Sequence, residues 1–324
     1  MTLHSYGQGF IAVICLIAPI APGWAQTYPA RPVRYIVPSL PGGGSDILGR
    51  MVAASLAQTF GQQVIVDNRA GGGGNIGAEI AAKAAPDGHT LFQMAVTHAI
   101  NVSLYRNLAY DLVRDFSPVT RLASSPLVIV VHPSLPAKSI GELVALAKSR
   151  PGTINYASGG TGTPTYLAVE LFKGQAGIDL VHVPYKGGGG AQTSVLSGET
   201  SVYFANIVTA LPHVRQGSLR AVAVTSPQRV PLLPEYPTVA ESGYPGYQSE
   251  TWFGLLVPVK SPKKTIAIVR AAAVAALHRP DLSKRLNDLA YIPTGDQPEE
   301  FAAYIQSEIA TLGDLVRRLG VKVD

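Results

Sequence analysis

Three glycine clusters constrain the fold of this chain more than any other feature of its sequence. They are Pro41–Asp46, Ser158–Pro164 and Lys186–Gly190, which we call the first, second and third glycine turns. Each follows a short apolar run and precedes an amphipathic stretch, a pattern that predicts a strand, a turn and a helix start. Such a turn directs free backbone N–H groups and the positive end of a helix dipole at one point. The turns therefore predict an α/β fold whose helix starts can bind a small anion.

Glycine turns also have a purely structural use, because glycine adopts the positive φ angles that strand-to-helix turns often need. A single turn would not separate the two interpretations. Three turns, two of which carry Ser or Thr beside the glycines, favour an anion site. We expect Gly43 to need a positive φ, so that a β-branched residue there would abolish ligand binding and leave the fold largely intact.

The composition describes a globular protein with room for two domains. The chain has 324 residues, of which 47% are hydrophobic, enough for a large core. Lys and Arg number 26 against 21 Asp and Glu, a formal net charge of +5. The basic residues are dispersed, whereas phosphate binding needs them clustered on one face. We therefore expect no nucleic-acid partner.

Residues 1–25 have the pattern of a secretory signal peptide. An apolar run, Phe10–Ala18, is too short to span a bilayer comfortably, and Gly23-Trp24-Ala25 predicts cleavage after Ala25. No Lys or Arg precedes Arg31, so the usual positive start is missing and a short membrane anchor stays an alternative. Export to the periplasm is the favoured interpretation. Cleavage would remove Cys15, the single cysteine, and leave a chain without disulfides or a thiol nucleophile.

The remaining chain alternates strand and helix patterns, which predicts a mostly parallel sheet of βαβ units. One set begins at residues 33–37 and a second begins at residues 127–131. The segments near 120–127 and 247–254 read as two crossings between lobes. The predicted organisation is a signal peptide, 1–25, a lobe I, 26–125 plus 250–324, and a lobe II, 126–249. Ligands of open α/β sheets bind at the carboxyl ends of strands, where the glycine turns lie.

Motifs for catalysis or cofactor binding are weak. Gly72–Gly77 satisfies G-x-G-x-x-G, but it follows the second strand and Glu79 is too close to reach a ribose. Gly43–Ile47 misses the final glycine of G-x-S-x-G, and the histidines show no metal-ligand spacing. His98 follows a strand end, where it faces the cleft or serves as a structural histidine. We expect no catalytic residue, metal or cofactor.

Five segments together carry a family resemblance. Pro41–Ile47, Asn68–Gly77, Tyr156–Pro164, Val183–Gly188 and Thr251–Leu255 resemble the Bug (TctC-like) family, at family-like spacing over residues 28–320. Members are periplasmic solute-binding proteins of tripartite tricarboxylate transporters. The resemblance implies an α/β, two-lobed type II periplasmic-binding-protein fold with two hinge crossings. It also implies a receptor that closes on a small carboxylated solute and delivers it to a membrane permease, with no enzymatic activity.

The resemblance also implies the binding residues. In relatives two facing loops grip one carboxylate of the ligand, and here these loops correspond to residues 39–46 and 158–164. Asp46 matches the loop acid of the family, which orients the turn or pairs with an ammonium group of the ligand. The implied ligand-binding residues are Ser39, Gly42, Gly43, Gly44, Ser45, Asp46, Thr97, His98, Ser158, Gly160, Thr161, Gly162, Thr163, Tyr185, Lys186 and Asn206.

Two other functions stay open at this point. A periplasmic sensor would bind the same solute but signal through a partner. A carboxylate-handling α/β enzyme would need a nucleophile and a base in contact, which the sequence does not indicate. For the receptor we expect a monomer whose partners are a small carboxylate and the permease subunits.

Overall fold

The computed structural model describes Thr2 and residues 28–323. The predicted signal peptide, apart from Thr2, and its cleavage site lie outside the described residues. Within the described part of the chain, no helix is both long enough and apolar enough to cross a membrane.

The first part of the chain builds one sheet with helices on its faces. Its elements are β1 (Val33–Val37), α1 (Gly44–Phe60), β2 (Val64–Asn68), α2 (Asn75–Ala82), β3 (Thr90–Ala95) and α3 (Val96–Leu104). β1 lies between β2 and β3 and runs parallel to both. Its alternate residues enter two different core clusters, since both faces of the sheet are covered. The carboxyl ends of β1 and β3 therefore meet at one edge of the sheet.

The middle of the chain repeats this plan around a second sheet. It begins in the long strand β4 (Phe116–Val131). Then follow α4 (Ile140–Ser149), β5 (Asn155–Ser158), α5 (Pro164–Ala176), β6 (Val181–Pro184), α6 (Gly188–Ser197), β7 (Val202–Asn206), α7 (Ile207–Arg215) and β8 (Arg220–Val224). β5 is parallel to β6 and β7. The carboxyl ends of β5 and β6 lead into the second and third glycine turns.

The strand β4 takes part in both sheets, and the molecule has two lobes. The first part of β4 pairs with β9 (Glu250–Pro258), whereas residues 127–131 pair with β7 and β8. β9 in turn pairs with β3 of the first sheet. The Thr225 hydroxyl contacts the carbonyls of Leu127 and Ser249, where the two connections run side by side. The fold is thus the predicted two-lobed α/β fold with two crossings.

The end of the chain returns to the first sheet. Its elements are α8 (Lys263–His278), α9 (Pro280–Asn287), β10 (Ile292–Pro293) and α10 (Pro298–Leu319). α8 packs on α1 and α10 packs on α3. The Trp252 indole N–H of β9 donates to the Glu308 carboxylate of α10 at 2.7 Å. These contacts agree with assigning residues 250–324 to lobe I, although the lobe boundaries stay a prediction.

The expectation of a mostly parallel sheet is wrong. β4 runs antiparallel to β7, β8, β9 and β10, because the crossing strands pass between the lobes in opposite directions. Two helices were also not predicted, α3 and α7. Each begins on the residue directly after a buried strand, at Val96 and Ile207, so no glycine or proline marks its start.

Candidate functional site

A cavity of about 740 Å³ lies between the lobes, at the carboxyl ends of the strands. Its wall takes residues from the first glycine turn, from α3 and from the crossing strands on one side. The other side comes from the second and third glycine turns and from the start of α7. This volume is in the range of a small-molecule site.

Helix starts dominate the wall of this cavity. The first residues of α1, α3, α5, α6 and α7 lie at or beside it, together with the Gly72–Gly74 turn that precedes α2. No side-chain hydrogen bond caps α1, α6 or α7 among the described residues. The first N–H groups of a helix have no partner inside the helix. Several helix dipoles therefore direct positive potential and free donors at one space.

The first glycine turn differs from the expectation in its backbone. Gly42 has a φ of 85°, whereas Gly43 has a φ of −81° and a ψ of 168°. The expectation that Gly43 needs a positive φ is therefore wrong, because the turn places that strain on Gly42. A Cβ at Gly43 would meet only the Leu40 carbonyl oxygen among the described atoms, at 3.9 Å. Gly43 is thus the permissive position of this turn.

Asp46 lies beneath the first glycine turn and not on the cavity wall. Its carboxylate accepts hydrogen bonds from the Gly42 N–H, from Arg50 Nε and from Asn68 Nδ2, at 2.9, 3.0 and 2.9 Å. Burial disfavours the charged form, but these hydrogen bonds and the Arg50 charge hold the pKa of Asp46 below its usual value. The Asp46 carboxylate is hydrogen-bonded within the protein and orients the first glycine turn.

Two further side chains fix the start of α1. The Tyr291 hydroxyl donates to the Gly44 carbonyl at 2.7 Å, and Gln93 Nε2 donates to the Ser45 carbonyl at the same distance. Tyr291 is 1% exposed and Gln93 is fully buried. The helix start is therefore held in place without a ligand.

The second glycine turn is tied together by its own side chains. Ser158 Oγ lies 2.7 Å from His182 Nε2 and accepts the Gly160 N–H at 3.1 Å. Thr165 Oγ1 accepts the Gly159 N–H, and Thr163 Oγ1 donates to the Gly160 carbonyl. Most of these bonds lie within the turn itself and hold its conformation.

The third glycine turn packs against the second. The Gly187 N–H donates to the Gly159 carbonyl at 3.0 Å, and a Cβ at Gly159 would lie 3.4 Å from the Gly187–Gly188 backbone. Lys186 is exposed at the rim of the cavity. Among the described residues, no ion pair engages its ammonium group.

The polar character of the cavity comes from neutral groups and one cation. None of the described residues that line it is acidic, and Lys186 is the single lysine or arginine among them. Ser39 Oγ is buried in this wall and has no hydrogen-bond partner among the described residues. Val96, Val208 and Phe253 supply apolar surface. The cavity suits an anion with an apolar body, and its described wall offers no counter-charge to an ammonium group.

His98 lines the cavity as a neutral imidazole. Its Nδ1 lies 3.1 Å from the Ala95 nitrogen and 3.0 Å from the Ala95 carbonyl oxygen, and Nε2 lies 3.4 Å from the Gly74 carbonyl oxygen. The neutral ring has one proton, which it donates to one of these two carbonyls. Complete burial lowers the pKa of His98, although the two backbone hydrogen bonds act in the opposite direction. His98 therefore positions the Gly74 and Ala95 backbone around the cavity.

This burial predicts a pH dependence of stability. The unfolded chain binds a proton at His98 near pH 6.5, whereas the folded chain binds it only at lower pH. We expect the free energy of unfolding to fall as the pH drops below about 6.5. Thermal melting of wild type and His98→Gln between pH 5 and 8 measures this. A wild-type melting temperature that falls with decreasing pH no more steeply than that of His98→Gln would contradict this prediction.

Half of the predicted binding residues line the cavity. These are Ser39, Gly44, Ser45, Thr97, His98, Thr163, Lys186 and Asn206. The other eight do not line it. They are Gly42, Gly43, Asp46, Ser158, Gly160, Thr161, Gly162 and Tyr185. A direct contact between any of the sixteen and a ligand stays a prediction.

Several wall residues were not predicted from the sequence. The Gly71–Gly74 segment belongs to the family resemblance and to a nucleotide-like motif, but none of its residues is among the predicted binding residues. Ser125, Thr251 and Phe253 lie on the crossing strands and gave no local signal. The full set is Pro38, Gly71, Gly72, Gly73, Gly74, Ala95, Val96, Ser125, Gly159, Pro164, Thr165, Gly187, Gly188, Val208, Thr251, Phe253 and Tyr291.

The two lobes, the crossings and the cavity between them define a solute-binding protein. Comparison with known proteins gives its family. A profile described as "Tripartite tricarboxylate transporter family receptor" matches residues 48–321. Protein BugT of Bordetella pertussis is 35% identical over 316 residues, which cover 97% of this chain and 96% of BugT. The chain belongs to the tripartite tricarboxylate transporter receptor family, whose members here are binding proteins and not enzymes.

Solved structures agree in fold over nearly the whole chain. The periplasmic binding protein BugD has a TM-score of 0.83 and 30% identity, over 91% of this chain and 99% of BugD. Rpa4515 of R. palustris with adipate has a TM-score of 0.86 and 32% identity, over 91% and 99% of the two chains. MatC of Rhodopseudomonas palustris with bound malate has a TM-score of 0.80 and 33% identity, over 89% and 100%.

Proposed function

We propose that this protein captures a small carboxylate between its lobes through the free N–H groups of its helix starts. The observation that carries the proposal is a cavity surrounded by helix starts, three of them (α1, α6 and α7) without a side-chain cap among the described residues, whose described wall contains no acidic residue. A carboxylate that accepts several N–H groups makes charge-assisted bonds, about twice as strong as neutral ones. The relatives with adipate and malate support this class of ligand.

A second anionic group of the ligand would meet Lys186. No described residue forms an ion pair with its ammonium group at the rim of lobe II, and the helix starts already provide for the first carboxylate. A dicarboxylate with an apolar chain, such as adipate, satisfies both ends and covers Val96, Val208 and Phe253. The ligand class that fits best is therefore an extended dicarboxylate without an amino group.

Substitution of Lys186 tests this second contact. For Lys186→Gln we expect adipate affinity to fall about threefold to fivefold, since an exposed charge pair is worth up to about 1 kcal/mol. Hexanoate, which lacks the second carboxylate, should bind both variants equally. Calorimetric titration at low salt measures the difference. An equal loss for both probes would show that Lys186 acts on the shape of the turn and not on the second carboxylate.

Asp46→Asn tests how the first turn is held. The amide cannot accept from Arg50, Asn68 and the Gly42 N–H as the carboxylate does, so we expect a loss of about 1–3 kcal/mol in unfolding free energy. Adipate and 2-aminoadipate should lose affinity by the same factor, because Asp46 does not reach the cavity. Chemical denaturation and titration measure both effects. A larger loss for 2-aminoadipate would assign Asp46 to the ammonium group.

A thermal-shift screen tests the proposed function itself. The chain from Gln26 is melted with adipate, malate, hexanoate and the matched amides. A ligand at 100 times its Kd adds about 2.7 kcal/mol, which corresponds to about 5 °C for a chain of this size. We expect shifts with carboxylates and none with amides. Shifts with amides, or none with any carboxylate, would contradict the anion site.

The physiological setting follows from the family. We propose that the chain is exported to the periplasm, that residues 1–25 are removed near Ala25, and that the monomer delivers its ligand to permease subunits. Mass spectrometry of the periplasmic protein tests the cleavage site. Uptake of the identified carboxylate in cells that lack this gene tests delivery, and unchanged uptake would favour the sensor function.

A further inference from the structure

Gly162 and Leu104 meet across the two proposed lobes. Gly162 lies in the second glycine turn and is buried, with a φ of 77°. A Cβ added there would lie 2.9 Å from Leu104 Cδ1 and still closer to Cδ2. Real side chains essentially never approach this closely, so the contact requires glycine. Leu104 ends α3 in lobe I, which makes the pair a direct interlobe contact.

The partner side chain is held firmly from lobe I. Leu104 is 4% exposed, and its carbonyl accepts the Val323 N–H at 3.1 Å. The neighbouring Ser103 packs against Gly313 of α10, where a Cβ would lie 2.5 Å from Ser103 Oγ. α3, α10 and the end of the chain thus fix the backbone of Leu104, and its side chain packs in a buried core cluster.

Both partners are connected to the cavity by short rigid segments. α3 carries Leu104 at its last residue and the cavity residues Val96, Thr97 and His98 at its first three. The second glycine turn carries Gly162 beside Thr163 and is tied internally by hydrogen bonds. Their contact therefore connects the two cavity walls, although neither residue lines the cavity.

We propose that Gly162 and Leu104 are positioning residues that hold the lobes at the spacing required for ligand capture. This inference rests on the proposed function, since it concerns the same cavity. Ligand affinity scales with the fraction of molecules in the binding-competent arrangement. Any side chain at Gly162 forces the turn away from α3 and lowers that fraction.

A double-mutant cycle isolates the contact. We expect Gly162→Ala to reduce adipate affinity at least about tenfold, from the clash and from the positive φ together. In a Leu104→Ala background the same change should cost much less, because Cγ, Cδ1 and Cδ2 are gone and only the φ contribution remains. Equal losses in both backgrounds would overturn the proposal.

Gly160→Ala is the matched control in the same turn. Gly160 also has a positive φ, 122°, but a Cβ there would approach the Tyr185 carbonyl and Thr163 of its own lobe. The effect of Gly160→Ala on affinity should be the same in the wild-type and Leu104→Ala backgrounds. If Leu104→Ala reduced the affinity loss of Gly160→Ala as much as it reduces that of Gly162→Ala, the coupling would not be specific to the Gly162–Leu104 contact. That result would overturn the proposal.

A distance measurement without ligand separates this inference from the proposed function. The chain from Gln26 contains no cysteine, so spin labels can be placed at Ala54→Cys on α1 and Ala145→Cys on α4. Both positions are exposed. We expect Gly162→Ala to lengthen or broaden the label distance and Leu104→Ala to reverse part of that change. An unchanged distance in folded Gly162→Ala would overturn the inference.

The remaining outcomes are also decisive. If Gly162→Ala does not fold, Leu104→Val is used instead. It removes the Cδ atoms of Leu104 while keeping a hydrophobic side chain, and it should broaden the same label distance. An unchanged distance there overturns the inference. If the distances respond but no carboxylate of the panel binds, the proposed function fails and the positioning role stands. If carboxylates bind and Gly162→Ala changes neither distance nor affinity, the proposed function stands alone.

Discussion

Gly44→Val is expected to lower adipate affinity at least about 100-fold, a loss of about 2.7 kcal/mol. A Cβ at Gly44 would lie 2.9 Å from the Tyr291 hydroxyl oxygen, which donates to the Gly44 carbonyl. Tyr291 is 1% exposed, so its ring cannot move aside. The added side chain must displace the start of α1 from the cavity or break this hydrogen bond. Either change removes N–H groups from the carboxylate.

Gly43→Ala is the control for this variant. The residue is adjacent, has a φ that any residue adopts, and its Cβ would meet only the Leu40 carbonyl oxygen among the described atoms, at 3.9 Å. It keeps its N–H, so we expect adipate affinity to stay within about threefold of wild type. Calorimetric titration measures both variants, and circular dichroism verifies that they are folded. Wild-type affinity in Gly44→Val would remove the start of α1 from the proposed site.

Gly254→Ala is expected to have the largest effect on stability. Gly254 lies in the crossing strand β9, where a Cβ would lie 2.5 Å from Phe301 Cε1 and closer still to Cζ. Phe301 is fully buried in α10. Overpacking of a core costs typically 1–3 kcal/mol and occasionally more, and we expect about 3 kcal/mol here. Denaturant unfolding measures it, with an expected fall of about 6 °C in Tm.

Two comparisons make this prediction specific. Phe301→Leu removes the ring atoms that a Cβ would meet, so Gly254→Ala should cost less in that background. Gly174→Ala in α5 has no described atom within 4 Å of its Cβ and lies in an exposed helix position. It should stabilise the protein by up to about 1 kcal/mol. A similar effect of alanine at both glycines would exclude packing as the cause.

In the proposed function, helix starts and not an arginine bind the carboxylate, which affects the selectivity of the site. An N–H group carries only a partial charge, so an array of them binds a carboxylate without a full buried cation. In the proposed function, selection among carboxylates rests on the other residues of the cavity wall, among them Lys186, Val208 and Phe253.

Local pattern was sufficient for most elements of the fold. The strand, turn and helix predicted at each glycine turn are observed, since β1 leads into α1, β5 into α5 and β6 into α6. Their apolar periodicity is clear and glycine, proline or polar caps mark their ends. The pairing of the strands was harder to predict from the sequence. The antiparallel course of β4 and β9 depends on which strands meet after folding, which no short window of sequence contains.

The sequence by itself determined the glycine turns, the strand-to-helix order, the two crossings and the family. These features depend on residue type and spacing over short distances. Only the tertiary structure showed that Gly42 and not Gly43 adopts the positive φ, that the Asp46 carboxylate accepts hydrogen bonds from Arg50 and Asn68, and that Gly162 contacts Leu104. Asn68 and Leu104 come from segments distant in sequence from Asp46 and Gly162, and they become neighbours only when the chain has packed.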